Sequence, residues 1–381
     1  MRAGPHTFRR PIARALLLSG CLLASRAAAE GEPAVTTKEP APVASVPWDY
    51  GFLPIVAYAP ETSLALGASA VLFGNEAVAQ DAGPRHDDQI ALSMTATLRQ
   101  QFFTTMDGLK YWRQERYQLG VLVGAGRFPN RFWGVGSGSP DAAEDLYTQS
   151  VASARINFGV RLMKDVYGGF GVSGGFYGTG DIAPGGAVET YLAGRKHAGH
   201  LLGGGPFLRR DTRDDFIFPR AGSLTSFSLL LSRTAVGSDY DYDVYEFDQR
   251  NYLALGRRMV LAFEGYGRWA RGAYIPVDDL SALGGASRLR GFFEGRYRDR
   301  VYFMSQLELR AHVAWRLSVA PFVAAGDVYP RLGAVTLASL KTAGGLGLRV
   351  NIKEERQLNV RLDFAMSSSS SGLYLSLGEA F

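Results

Sequence analysis

The chain has 381 residues, with 41 Lys and Arg against 36 Asp and Glu, and a net charge of +5. Five of the arginines lie in the first 29 residues, which contain no Lys and no acid, so the remainder is neutral. The charge therefore gives no support to a nucleic-acid partner. A hydrophobic content of 46% with 46 Gly also excludes a disordered chain and a long-helix protein.

The first 29 residues predict a signal peptide and hence export. A positively charged start precedes an apolar run from Ala15 to Ala24 and a small-residue cleavage site at Ala27–Ala29. Cys21, the single cysteine of the chain, would be removed with this leader. Alternatively, Leu18–Cys21 resembles a lipoprotein box, in which Cys21 would be lipidated.

Residues 30–47 are rich in Pro, Ala, Thr and Glu, which predicts a flexible periplasmic tail too short to form a domain. Residues 48–381 are predicted to form one domain. No run of 18 apolar residues follows the leader, so helical membrane spans are not expected.

Alternation with a period of two residues dominates this domain. In residues 298–313 the even positions are mostly polar and the odd positions mostly apolar, and 346–353 and 356–366 repeat the pattern. This periodicity predicts β-strands of about 10 to 14 residues, the length of a tilted membrane crossing. The sixteen predicted strands are 54–58, 64–73, 88–99, 101–111, 116–127, 147–161, 165–177, 196–209, 222–234, 242–255, 257–270, 298–311, 315–326, 341–351, 356–367 and 372–381. The predicted fold is an all-β transmembrane antiparallel barrel.

Aromatic residues and the last strand favour the outer membrane of a Gram-negative-type cell. Aromatic side chains near predicted strand ends indicate interfacial girdles; they are Tyr111, Trp112, Phe132, Trp133, Trp269 and Tyr274. The last strand resembles the C-terminal assembly signal of bacterial outer-membrane barrels. Its signal residues, expected on one face, are Leu373, Leu375, Leu377 and Phe381.

Residues 283–299, LGGASRLRGFFEGRYRD, resemble a long loop of the BamA/TamA superfamily of outer-membrane assembly factors and secretion pores. The matching residues of this loop-lock motif are Gly284, Gly285, Leu289, Arg290, Gly291 and Phe292. A second family motif comprises Asp211, Thr212, Arg213, Asp214, Pro219 and Gly222, and a third is FWGVG at 132–136. The resemblance covers 48–381 and implies that the loop between strands 11 and 12 folds into the lumen.

The resemblance also implies that Arg290 is locked by carboxylates of the following strands, because a guanidinium in a lumen favours bidentate carboxylate partners. Glu308 is the expected partner. Ala324 stands where the family usually places a second inward-facing Asp, and Asp327 lies nearby at the opposite parity. The lock is therefore expected to be weaker or rearranged. The alternative is that Arg290 is a solvated loop charge.

The family's periplasmic POTRA domains would not fit into residues 30–47, so the chain resembles a barrel-only branch. The resemblance implies a role in outer-membrane protein assembly, insertion or translocation. The expected partners are outer-membrane lipid and either unfolded outer-membrane proteins or a periplasmic protein. The short first strand contains Pro54, which lacks a ladder donor and predicts weak closure against the last strand; alternatively, Pro54 only marks a strand start.

Two other classes of function remain open from the residues. A passive pore or structural barrel would have a lumen of mixed charge, which argues against ion selectivity; its predicted lining is Arg298, Arg300, Arg310, Arg349 and Arg361 with Glu264, Glu308 and Asp363. An enzyme is not expected, nor is a cofactor, a metal or a catalytic residue, since the histidines are scattered. They are His6, His86, His197, His200 and His312.

Overall fold

A computed structural model describes residues 49–74, 88–215, 218–353 and 358–381. The predicted leader with Cys21, the predicted tail at 30–47, His6 and His86 lie outside these residues. Within them, sixteen antiparallel strands form a closed ring, each beside its neighbours along the chain, and the first and last strands complete it. The predicted transmembrane-type barrel with sixteen strands is therefore confirmed.

The barrel strands are β1 (Asp49–Ala59), β2 (Ser63–Gly74), β3 (Asp88–Thr97), β4 (Phe102–Trp112), β5 (Tyr117–Phe132), β6 (Asp145–Met163), β7 (Val166–Gly180), β8 (Ala198–Asp211), β9 (Gly222–Ser232), β10 (Tyr242–Leu255), β11 (Met259–Gly272), β14 (Val301–Ala314), β15 (Leu317–Tyr329), β16 (Lys341–Lys353), β17 (Leu358–Ser367) and β18 (Ser371–Leu377). Two short strands, β12 (Ser281–Leu283) and β13 (Tyr297–Asp299), pair only with each other. The described helical segments are α1 (Ala187–Leu192) and the 3-10 turns Asp141–Ala143, Thr234–Val236, Val277–Asp279 and Leu332–Ala334.

Among the described residues, no helix combines the length and the apolar character needed to cross a bilayer.

Side-chain parity separates the lumen from the lipid face. In β14, Gln306 and Glu308 are buried inside, whereas the odd-numbered Phe303 and Leu307 are 38% and 40% exposed on the outside. This matches the predicted alternation. The predicted strand start at 298 is wrong, because residues 297–299 pair with 281–283 in the small sheet, and β14 begins at Val301.

The two ends of the barrel differ in the length of their connections. One end has the short turns 113–116, 164–165, 256–258 and 315–316 and the longer connection 212–221, together with the start of β1 and the end of β18. The other has the short turns 60–62, 98–101 and 368–370 and the longest loops that the structure describes, which are 133–144, 181–197 and 273–300. Outer-membrane barrels have short periplasmic turns and longer extracellular loops. We therefore assign the long-loop end as extracellular.

The predicted aromatic girdles are only partly correct. Trp112 and Trp269 are half-exposed at strand ends, and the Trp269 ring stacks 4.8 Å from that of Tyr245. In contrast, Phe132 and Trp133 are 0% and 4% exposed, because the loops above the lumen cover them. Tyr111 is likewise buried. The sixth candidate, Tyr274, is half-buried and lines an extracellular cleft.

Candidate functional site: the lumen loop and the barrel seam

The segment 284–296, here called the lumen loop, folds from the β12–β13 sheet into the barrel. The backbone is left-handed at Gly284 (φ +99°) and Gly291 (φ +108°). A Cβ atom at Gly284 would lie 2.5 Å from the carbonyl oxygen of Phe293, so the turn requires glycine. Leu289 and Phe292 are buried among lumen-facing side chains. The inward-folding loop implied by the resemblance is confirmed.

Arg290 is fully buried at the tip of this loop. Its Nη2 donates to Glu308 Oε2 at 2.8 Å, and its Nη1 donates to Asp363 Oδ2. Its guanidinium carbon lies 3.5 Å from the ring centroid of Phe322. The expected pair with Glu308 is confirmed, and the alternative of a solvated loop charge is wrong.

The second carboxylate of the lock comes from a different strand than the family pattern implies. Ala324 on β15 is buried in the same apolar cluster as the loop residue Leu289. Asp327 accepts hydrogen bonds from Ser137 Oγ and lies 3.6 Å from Lys341 Nζ, away from the lock. Asp363 on β17 supplies the missing carboxylate. Arg290 thus pairs with one carboxylate from β14 and one from β17.

Arg349 on β16 extends the lock towards the periplasmic end. Its guanidinium lies 3.3 Å from Glu308 and 2.5 Å from Asp363, and it donates to Glu379 at 2.8 Å. Arg310 donates to Glu308 at 3.0 Å and to the carbonyl oxygen of Phe381 at 2.9 Å. Buried charges are tolerated when they are paired and hydrogen-bonded in this way. One ionic network therefore joins the lumen loop to the last residues of the chain.

The tip of the lumen loop also contacts the last two strands. Gly291 N–H donates to the Tyr374 hydroxyl at 2.9 Å, and Ser370 Oγ donates to the Gly291 carbonyl oxygen at 2.5 Å. The serine-rich turn 368–370 thus holds the loop from the extracellular side. Arg361 reinforces this contact through a 3.1 Å bond to the carbonyl oxygen of Ala286.

Two of the predicted lumen arginines are not on a barrel strand. Arg298 lies in β13 and donates to the Val277 carbonyl oxygen, and Arg300 follows β13 and donates to the Gly272 and Ala273 carbonyl oxygens. The predicted pore lining is wrong at these two positions. Among the predicted acids, Glu264 does face the lumen, where it pairs with Arg288 at 2.9 Å.

The second and third family motifs have separate places. The second forms the periplasmic β8–β9 turn, in which Asp211 pairs with Arg213 at 2.7 Å and Gly222 begins β9. The third supports the lumen loop from outside, since the Trp133 ring packs 5.5 Å from that of Phe293 and Gly136 N–H donates to the Arg298 carbonyl oxygen.

The seam between β1 and β18 is the weakest ladder of the barrel. Among the described residues it has one paired position, Tyr58 opposite Leu375, whereas every other adjacent pair shares at least seven. In this register Leu377 lies opposite Val56, so Gly51–Ile55 extends past the end of β18. Weak closure is confirmed, but the predicted short first strand is wrong. β1 has 11 residues and a complete ladder to β2, in which Pro54 lies opposite Ala68, and β18 has only 7 residues.

The seam is short because the chain leaves the wall at Gly378. Residues 378–381, here called the inward tail, enter the lumen, where Ala380 and Phe381 pack against Tyr252, Val260 and Ala262. The predicted last strand ending at Phe381 is therefore wrong. Leu373 is 45% exposed on the outer face, whereas Phe381 is 6% exposed inside the barrel, so the four predicted signal residues do not share a face.

His197, His200 and His312 are exposed and are not part of this network. Among the described residues, no group of three or more His, Cys, Asp or Glu side chains is arranged to hold a metal ion. Arg349, Asp363 and Glu379 are the site residues whose roles the sequence did not reveal. Parity marked the first two as lumen-facing, but Glu379 lies beyond the end of β18 and carried no such signal.

A family model described as the Omp85 superfamily domain matches residues 88–381. Comparison with curated proteins gives no match. Among solved structures, BamA from Haemophilus ducreyi lacking POTRA domains 1–3 is similar, with a TM-score of 0.62, 14% identity, and coverage of 87% of this chain and 70% of that chain. CdiB from Acinetobacter baumannii has a TM-score of 0.56 and 13% identity, with coverage of 87% of this chain and 59% of that chain. CdiB from Escherichia coli has a TM-score of 0.57 and 10% identity, with coverage of 96% of this chain and 70% of that chain. The chain thus spans less than two thirds of the Acinetobacter structure. At these identities the likeness establishes the fold.

Proposed function

The chain belongs to the Omp85 superfamily, and we propose that it assembles, inserts or translocates outer-membrane proteins through the seam between β1 and β18. The superfamily barrel fold implies the outer membrane. The observation that carries the proposal is the single paired position of the seam, Tyr58 opposite Leu375.

A sheet edge that extends past its neighbour is a template for another strand. The segment Gly51–Ile55 is such an edge, and its other side is held by a complete ladder to β2. An incoming strand can pair with this edge by β-augmentation, in which backbone hydrogen bonds give affinity without demanding one sequence. This mechanism suits client proteins that all form β-strands but have no sequence motif in common. Unfolded outer-membrane proteins, alone or delivered by a periplasmic protein, are therefore the proposed partners.

A switchable covalent lock at the seam tests the proposal. Tyr58→Cys with Leu375→Cys places two thiols at the paired position of the seam, and Phe227→Cys with Phe247→Cys places a matched pair between β9 and β10. All four residues are at least partly exposed on the outer face, and both variants carry Cys21→Ser. Each protein is reconstituted in lipid vesicles, and an unfolded eight-stranded outer-membrane barrel is added as the client. The folded fraction of the client is followed by heat-modifiable electrophoretic mobility.

We expect the reduced proteins to accelerate folding of the client. Oxidation should abolish the acceleration for the seam pair and leave the β9–β10 pair active. Unchanged acceleration with the seam oxidised would reject the seam mechanism, and no acceleration in any form would reject the assembly role. Deleting the gene and quantifying other outer-membrane proteins tests the same role in cells.

The rival function is a passive pore or a structural barrel. The lumen loop and the inward tail both occupy the lumen, so we expect little steady current across a planar bilayer. A large steady conductance without acceleration of client folding would favour the pore instead.

A further inference from the structure

An open cleft of about 860 Å³ lies at the extracellular end, and its lining includes no residue of β1 or β18. Three loops form it: 133–144, 181–197 and the first residues after β11. Its volume is in the range of pockets that hold small ligands, which are typically lined by aromatic side chains with a few polar groups.

Aromatic rings form one continuous wall of the cleft. The Tyr191 ring lies 5.8 Å from that of Phe132 and 6.0 Å from that of Tyr274. Tyr191 is fixed because its hydroxyl donates to the Ile275 carbonyl oxygen. Rigid rings of this kind present apolar faces at low entropic cost, and the apolar face of a sugar ring packs on such surfaces.

Two arginines of the lining, Arg195 and Arg300, form no ion pair within the described part of the chain. The guanidinium carbon of Arg195 lies 5.2 and 4.8 Å from the ring centroids of Tyr191 and Tyr274, and its Nη1 donates to the Tyr191 carbonyl oxygen. Arg300 donates to backbone carbonyl oxygens, and its charge acts on the neighbouring Asp299. The charge of Arg195 is therefore the one available to an anion.

The acids of the lining are already engaged. Glu144 pairs with Arg131 at 2.8 Å, and Asp145 accepts the amide of Val188 at 3.0 Å. The Tyr274 hydroxyl, by contrast, has no hydrogen-bond partner among the described residues. Buried polar groups are normally satisfied, so this hydroxyl is a donor awaiting an acceptor.

From the juxtaposition of an aromatic wall, an arginine beside two tyrosine rings and an unsatisfied hydroxyl, we propose that the cleft binds an acidic saccharide. The sugar ring lies against Tyr191 and Tyr274, and its carboxylate pairs with Arg195, because a guanidinium matches a carboxylate with two parallel hydrogen bonds. The saccharide can come from a soluble extracellular polymer or from the acidic core sugars of the surrounding lipopolysaccharide.

Calorimetric titration of the full chain in detergent micelles tests the proposal, with a uronic-acid tetrasaccharide as the probe. Its carboxyl-reduced form is the matched control ligand. We expect the acidic form to bind about tenfold or more tightly, since a hydrogen bond to a charged group is worth that factor. Arg195→Gln should remove this preference, and Tyr274→Phe should weaken binding of both forms.

Lys196→Gln is the control variant, because Lys196 pairs with Asp239 and is not part of the lining. It should bind as the parent chain does. Heat-modifiable mobility verifies that each variant is folded. Equal binding of the two saccharides, no binding of either, unchanged affinity in Arg195→Gln, or equally tight binding of a polyglutamate peptide would overturn the proposal.

Lipopolysaccharide with an intact core and lipid A without a core distinguish the two sources. Competition of the tetrasaccharide by the intact core but not by lipid A identifies the membrane's own sugars as ligand. Tetrasaccharide binding that neither preparation displaces identifies an external saccharide. Both results support an acidic-saccharide site, and displacement by lipid A as efficiently as by the intact core would overturn it.

Discussion

Arg290 in the lumen loop and Asp363 on β17 form an ion pair in which both side chains are 0% exposed. The two residues are 73 positions apart in the chain. The partner strand β17 lies next to the last strand of the barrel, so this pair ties the loop to the wall beside the seam.

Asp363→Asn should destabilise the barrel strongly. Removing one partner of a buried ion pair costs about 3 to 5 kcal/mol because the other charge stays buried. Urea unfolding from lipid vesicles measures this loss. Asp181→Asn is the control, since both side chains of its pair with Arg127 are exposed and the pair should contribute little to stability. Equal effects of the two substitutions would contradict the lock.

Gly291→Ala should displace the tip of the lumen loop. The left-handed backbone at Gly291 disfavours any side chain by about 1 to 2 kcal/mol, and a Cβ would lie 3.1 Å from the backbone of Met366. Trypsin should then cleave after Arg290, which is buried in the parent chain. Gly138→Ala, where a Cβ meets open space, should leave the loop protected. A Gly291→Ala chain as resistant as the parent would refute the close contact.

The stability of the barrel should depend on pH through Glu61, at the extracellular end of β1. Glu61 is buried in the turn between β1 and β2, and burial followed by the charge of Glu294 raises its pKa from 4.5 to about 8. The folded protein therefore holds this proton more tightly than the unfolded chain does. That contribution to stability is fully present below pH 4.5 and is lost as the pH rises through 8.

The temperature of the heat-modifiable transition should therefore fall between pH 5 and pH 9. Glu61→Gln, which keeps the neutral form at every pH, should flatten the curve. Glu189→Gln, at an exposed position of an extracellular loop, should leave the slope as in the parent chain. A slope that persists in Glu61→Gln would assign the pH dependence to another group.

Arg349→Gln should release the inward tail. Arg349 is the cation shared by Glu308, Asp363 and Glu379, so its loss leaves buried carboxylates facing one another with less positive charge. In a chain with Cys21→Ser, the labelling rate of Ala380→Cys by a membrane-impermeant maleimide should rise at least about tenfold. The matched control is Arg209→Gln, which breaks a periplasmic-end pair with Asp211 away from the tail. Unchanged labelling would mean that apolar packing alone holds the tail.

The sequence by itself determined the repeated elements of the barrel. Alternation is a local property, because successive side chains of a strand point to opposite faces, so strand number and the inward position of Glu308 followed from parity. The motif at 284–292 likewise identified the lumen loop, since its glycines and Arg290 are contiguous in the chain. The charge count also placed the basic excess in the first 29 residues.

Only the tertiary structure decided which distant groups meet. Arg290 has a second carboxylate partner on β17 beside the expected Glu308, Trp133 lies under loops instead of at the lipid interface, and Phe381 turns into the lumen. Alternation could not distinguish these outcomes, because lumen packing and ring closure depend on register between strands far apart in the chain. The register of Tyr58 opposite Leu375, which leaves the edge of β1 extending past β18, belongs to the closed barrel and to no segment of the sequence alone.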